Sequence, residues 1–169
     1  MRLMNNLTIE SQLEAYRQQN FSSKQLREIE KGLHVGLDMF SYIDLEFSPY
    51  QIARIVYCLS HGYDTTELIK ESYSWAQVDE IYIGLQKGLN VSVYADSKFD
   101  ATQMKEIRLG IESGIDVSQY LDCYTPTSTM QKIRKRLEVE MVDREINEYL
   151  INSDSIAAIR TTWFFRNGT

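Results

Sequence analysis

Cys58 and His61 stand three residues apart, the spacing that sets a thiol and an imidazole on one face of a helix, where both could ligate zinc. A closed zinc site needs further ligands, and the remaining candidates, His34 and Cys123, lie in distant parts of the chain. No metal is therefore expected. Asp38, Asp64, Asn90 and Asp116 form a series of oxygen donors at one constant interval, but their spacing does not match an EF-hand loop, and helix capping explains them. Gln25, Gln51, Gln77 and Gln103 form another series, which could be a polar ladder reading a ligand; a capping-box role accounts for it. No nucleophile elbow, phosphate-binding glycine loop, dinucleotide fingerprint or HExxH pattern is present. Two histidines leave little room for ordinary acid–base catalysis, although carboxylates are plentiful. The expectation is a protein that is not an enzyme and needs no cofactor.

Side chains suited to binding are easier to find. Tyr50, Arg54, Tyr57 and His61 fall at i, i+4, i+7 and i+11, a single helical stripe, and Trp75, Asp79 and Tyr82 fall at i, i+4 and i+7. Aromatic residues and Arg are the types enriched in binding hot spots. Two readings of these stripes stand. In one they pack against the next helix, which Val56, Tyr57, Ile83 and Leu109 fit well. In the other they face a protein partner, and Tyr50, Arg54, Trp75 and Tyr82 carry the contact.

What must position these residues is an internal repeat. Phe21, Phe47, Tyr73 and Phe99 are separated by 26 residues each, and the recurrence continues without insertion through each unit. Ser22, Ser48, Ser74 and Asp100, one residue on, are strong N-caps. Gln three residues later completes a capping box, and the leading aromatic can staple onto Leu26, Ile52, Val78 or Met104. Pro49 sits at the first helical position of the second unit, where a missing N–H costs nothing. Apolar residues then follow at i, i+3 and i+7, as in Val78, Ile81 and Leu85, which predicts an amphipathic helix of about 13 residues in every unit. Gly36, Gly62, Gly88 and Gly114 end it. The Asp or Asn two residues beyond should cap a second, shorter helix of one or two turns carrying Phe40 and Ile43, Leu68 and Ile69, Val91 and Tyr94, or Val117 and Tyr120. Gly32, Gly84 and Gly110 lie inside the first helices, where Gly costs about 1 kcal/mol relative to Ala. Close approach of a neighbouring helix backbone is the expected reason, and Cys58 fills the same place in the second unit.

The expected fold is all-α, with tandem helix–turn–helix repeats stacked as a short solenoid-like domain and a longer C-terminal helical cap. Residues 1–20 supply an N-terminal capping helix, running from Thr8 to Asn20 with Leu13 and Tyr16 facing inward. Residues 21–124 are the four repeats, and residues 125–169 a degenerate fifth repeat and C-terminal helices, all one continuous domain. Met130, Ile133 and Leu137 keep the apolar positions of that fifth unit, whereas Gln and Gly are missing from theirs. Its helix should start near Pro126 and run to about Asn152. Asn152-Ser153-Asp154-Ser155 reads as a turn before a last helix with Ile156, Ile159, Trp163 and Phe164.

The net charge of −6 lacks the basic footprint usual in nucleic-acid binding. Lys132, Arg134, Lys135 and Arg136 form a local exception, followed at once by Glu138, Glu140, Asp143 and Glu145; this reads as a solvated, charge-balanced helix face. Two cysteines in 169 residues suggest a reducing compartment. No signal-peptide core and no apolar stretch of membrane-spanning length appear, so a cytoplasmic protein without a membrane partner is expected.

The units YSWAQVDEIYIGLQKGLNVSVYAD (73–96) and FDATQMKEIRLGIESGIDVSQYLD (99–122) resemble a tandem repeat of uncharacterised proteins of gut Firmicutes and their mobile elements. The resemblance covers residues 21–124. The second unit departs most, with Cys58 for Gly and Tyr63 for Leu. The resemblance implies a fold and an origin, and carries over no activity or functional residue. The leading expectation is a protein-interaction or scaffold module. The alternative is a mobile-element inhibitor of a host nucleic-acid defence enzyme, its acidic balance imitating phosphates. Nucleic-acid binding through the 132–136 cluster ranks below both, and a homodimer through Trp163, Phe164 and Phe165 is compatible with any of them.

Overall fold

Ser22, Ser48, Ser74 and Asp100 each begin a helix. In the computed structural model, which describes the backbone of residues 8–167 and the side chains of residues 8–152, the chain is all-helical, with six helices and no strand among the described residues. They are α1 (Ile9–Gln18), α2 (Ser23–His34), α3 (Pro49–Ser60), α4 (Trp75–Gln86), α5 (Ala101–Glu112) and α6 (Thr127–Asn167). At each start the cap side chain accepts the N–H of the residue three positions on, as in Gln51 to Ser48 Oγ at 3.1 Å. In α2, α4 and α5 the Gln returns the bond and closes the capping box. Each of α2 to α5 ends alike. Gly36, for example, takes φ +80°, and Leu37 N–H reaches back to Gly32 O at 3.0 Å, closing a Schellman motif.

The expected second helices are not α-helices. Three units have one 3-10 turn (Met39–Ser41, Val91–Val93, Val117–Gln119), and the second unit has only a hydrogen-bonded turn at 66–69. About ten residues must bring the chain back to the next N-cap, and a single tight turn does this. Asp38 and Asp116 cap their turns through the Phe40 and Ser118 N–H groups. The turn buries Met39, Val91 or Val117, whereas Phe40, expected inside, is 57% exposed.

That turn also explains the helix-interior glycines, and the reason differs from the expected one. A Cβ on Gly84 would collide with the Tyr94 hydroxyl and lie 2.7 Å from Val91 Cγ1. On Gly110 it would meet the Tyr120 hydroxyl, and Val117 Cγ1 at 2.8 Å. What presses on each glycine is therefore side chains of the unit's own 3-10 turn, not a neighbouring helix backbone. Tyr94 Oη passes over Gly84 to donate to Glu80 O (3.1 Å), and Tyr120 Oη does the same to Glu106 O (3.3 Å). In the second unit Leu68 replaces the Tyr, no hydroxyl crosses the helix, and Cys58 fits, fully buried.

Each helix packs on the next in sequence, α1 on α2 through to α5 on α6. Ile29, Ile52, Ile55, Val78, Ile81, Met104, Ile107 and Met130 are fully buried between them. Leu13 and Tyr16 of α1 face inward as expected, with Tyr16 edge-on to Phe21 at 5.4 Å. At the other end Met130 is buried and Ile133 and Leu137 pack beside it. The predicted turn at 152–155 is absent, and α6 runs through it as one helix. Asn, Ser and Asp each weaken a helix by less than about 1 kcal/mol, and without Gly or Pro the segment holds no breaker. Ile156, Ile159, Trp163, Phe164 and Phe165 belong to that continuous helix; their side chains lie outside the described residues. No helix among the described residues is long and apolar enough to cross a membrane.

Candidate interaction surface

The recurrent Gln does more than close a capping box. Its Nε2 donates to two carbonyls at the start of the next unit: Gln25 to Leu45 O and Phe47 O (2.8 and 2.9 Å), Gln77 to Ser97 O and Phe99 O (3.2 and 2.7 Å), Gln103 to Cys123 O and Thr125 O (2.9 and 3.0 Å). Gln51 donates to Leu68 O and Glu71 O, and its Oε1 accepts Tyr73 N–H in place of its own N-cap. One amide thus fastens two consecutive units, and all four side chains are buried. A ligand has nothing left to read there.

A second row of contacts joins the helices by charge. Arg108 donates to Glu80 of the preceding helix at 2.8 Å and to Glu112 one turn on. Arg134 repeats this with Glu106 and Glu138, both at 2.8 Å. Arg134 is only 11% exposed, so the 132–136 cluster is not a uniformly solvated face; its central arginine is an inter-helix strut. Burial disfavours the Glu112 carboxylate, but hydrogen bonds from Lys87 and Arg108 outweigh it and hold the carboxyl below its usual range. Glu138 is lowered likewise, with Ser113 and Arg134 overcoming burial.

Between α3 and α4 this row changes chemistry, and here three of the four expected partner residues meet. Arg54 takes the place of the Glu, and Tyr82 that of the Arg. The Arg54 guanidinium lies 4.4 Å from the Tyr82 ring centroid and 5.0 Å from that of Tyr50. It donates to Asp79 at 3.1 Å and to Tyr50 Oη at 2.7 Å, while the Tyr50 hydroxyl donates to Asp79. Tyr57 meets Tyr82 edge-on at 5.5 Å and stacks on His61 at 3.9 Å. The cluster is closed on itself: Arg54 has its counter-ion and both ring faces, and Tyr82 is 9% exposed. Of the two readings of the stripe, this geometry realises packing against the next helix for Tyr50, Arg54 and Tyr82. Trp75 is apart from them, 67% exposed, with no hydrogen bond or ring contact to the three.

Cys58 and His61 do not share a helix face. His61 is the C-cap of α3, with Nδ1 2.9 Å from Tyr57 O, whereas Cys58 points into the core, where burial pushes its thiol up to about 11. No group of three or more His, Cys, Asp or Glu residues among those described is placed to hold a metal ion.

The surface that sequence reasoning missed is on α6. Val139 (60% exposed), Val142 (48%), Ile146 (52%) and Tyr149 (73%) follow one another at steps of 3, 4 and 3. At about 100° per residue they fall within about 80° of arc, roughly opposite the face of Met130, Ile133 and Leu137 that packs into the core. The signal was present as a heptad-like pattern; it reads as ordinary core spacing until one knows that the array ends before it. No family model, no curated protein and no solved structure matches this chain.

Proposed function

We propose that this chain is a non-enzymatic protein-interaction module, in which short helical units stack as a solenoid-like array and present α6 to a protein partner. The carrying observation is the run of exposed apolar side chains from Val139 to Tyr149 on a helix that continues past the packed array. Large exposed apolar strips of this kind mark protein contacts. The residues that recur in the repeat support the same reading from the other side. Gln, Gly and cap residues are all spent on the fold, and no buried side-chain polar atom among the described residues lacks a hydrogen bond. The phosphate-mimic alternative draws less support, because Glu80, Glu106, Glu112 and Glu138 are each paired with Arg or Lys.

The test is affinity capture from the native host with the wild-type chain and with Ile146→Lys, followed by reconstitution from purified components. A partner that binds the first and is lost with the second is the expected result. Identical capture profiles would refute the assignment of α6 as the contact element.

A further inference from the structure

Resting on the reading of α6 as the contact element, we infer that its apolar seam pairs with the same seam of a second copy of this chain, in antiparallel orientation. The seam is narrow. Val139, Val142, Ile146 and Tyr149 alternate by three and four residues with polar neighbours on both sides, the width that one opposing helix covers and a broad globular surface does not. It lies roughly opposite the face that packs on α5, so the array does not cover it. A helix of 41 residues whose second half stands beside no other described helix gains its stability from a partner, since isolated helices are marginal in water.

Charge selects the orientation. Residues 138–148 carry five carboxylates, Glu138, Glu140, Asp143, Glu145 and Glu148, against the single Arg144. Glu138 and Glu145 flank the seam on one side and Asp143 on the other. A parallel, in-register pair would set this acidic stretch against its own copy, and like charges across a helix interface repel. The sequence from 149 to 167 carries Asp154 against Arg160 and Arg166. An antiparallel pair brings the acidic stretch of one copy alongside that segment of the other, so the two seams meet without self-repulsion. A two-fold axis makes such a contact self-complementary, the commonest closed assembly.

Sedimentation equilibrium of the full chain, from micromolar to submillimolar concentration, tests this. The wild type is expected to be a dimer at the upper end. Ile146→Lys places one lysine from each copy in the seam and should weaken pairing about 100-fold, with the circular dichroism and melting of the array unchanged because Ile146 is exposed. Arg160→Glu with Arg166→Glu should weaken pairing as well. A wild type that stays monomeric throughout, an Ile146→Lys variant as dimeric as the wild type, or a charge-reversed variant that pairs equally or more tightly would overturn the inference. A monomeric chain that still loses a captured partner on Ile146→Lys overturns self-pairing while leaving the interaction reading intact; a chain that neither pairs nor captures overturns both.

Discussion

Replacing Gln77 by Glu changes one atom of the amide that fastens the third unit to the fourth. The new carboxylate keeps the acceptor for Ser74 N–H (2.9 Å in the wild type), but it has no donor for Ser97 O and Phe99 O at 3.2 and 2.7 Å. Two hydrogen bonds disappear and two carbonyls face an oxygen; at about 1–3 kcal/mol for each group left unsatisfied, a loss of about 3 kcal/mol is expected at pH 7. For a chain of this size that is a fall of about 6–12 °C in melting temperature. The variant also carries its own control. Its carboxyl, buried against two carbonyls, has its pKa raised by folding. The stability it contributes is then complete below the ordinary glutamate value near 4.3 and is lost as pH rises through the folded value. The protonated acid can donate to one of the carbonyls, so the melting deficit relative to wild type should be largest at pH 7 and shrink towards pH 4. Gln77→Leu should show a deficit of similar size with no such pH trend. Thermal melts followed by circular dichroism at several pH values decide the matter. A Gln77→Glu deficit below about 1 kcal/mol, or one independent of pH, would refute the role given to the amide.

Three further outcomes follow from the packing. Gly84→Ala should lower stability by about 1–3 kcal/mol in urea unfolding, despite the better helix propensity of Ala, because its Cβ meets the Tyr94 hydroxyl and Val91; Gly84→Leu should be worse. The depressed carboxyls of Glu112 and Glu138 contribute stability above the ordinary glutamate range and lose it as pH falls through their lowered values, so urea midpoints should decline on acidification below about pH 5. Replacing Arg108 and Arg134 together by Met should flatten that part of the pH profile. Cys58, buried and with its thiol raised, should react with a thiol reagent only after unfolding, as read by mass spectrometry of labelled peptides.

Much of the fold was legible because capping is local. Ser74, Gln77 and Gly88 each act within one helix length, so their spacing alone marks where α4 begins and where the chain leaves it. Contacts between units depend on the rotation of one helix against the next, which a single sequence does not display. The Tyr50–Arg54–Tyr57 stripe is therefore visible, but its closure by Asp79 and Tyr82 is not. Glu80–Arg108 and Glu106–Arg134 left a trace, two opposite charges each 28 residues apart, but such pairs stand out only once the register of neighbouring helices is known. The missing second helices have another cause. Capping signals such as Asp38 or Asp116 serve a 3-10 turn as well as an α-helix, and only the short distance back to the next unit distinguishes them. At 152–155 the polar residues resemble a turn by composition, yet none of them forbids helix.

The fourth unit carries both halves of the inter-helix strut, Glu106 facing forward and Arg108 facing back, together with a Gln whose amide grips whatever begins next. A duplicate of residues 99–124 inserted after Cys123-Tyr124 would therefore find matching chemistry on both sides, Glu106 against the new Arg108 and the new Glu106 against Arg134. Downstream of α6 no such growth is open, since Thr129 and Arg136 stand where the Gln and the Gly would have to be. The array is thus written so that it can lengthen from within, one whole module at a time, while its final helix closes it to extension.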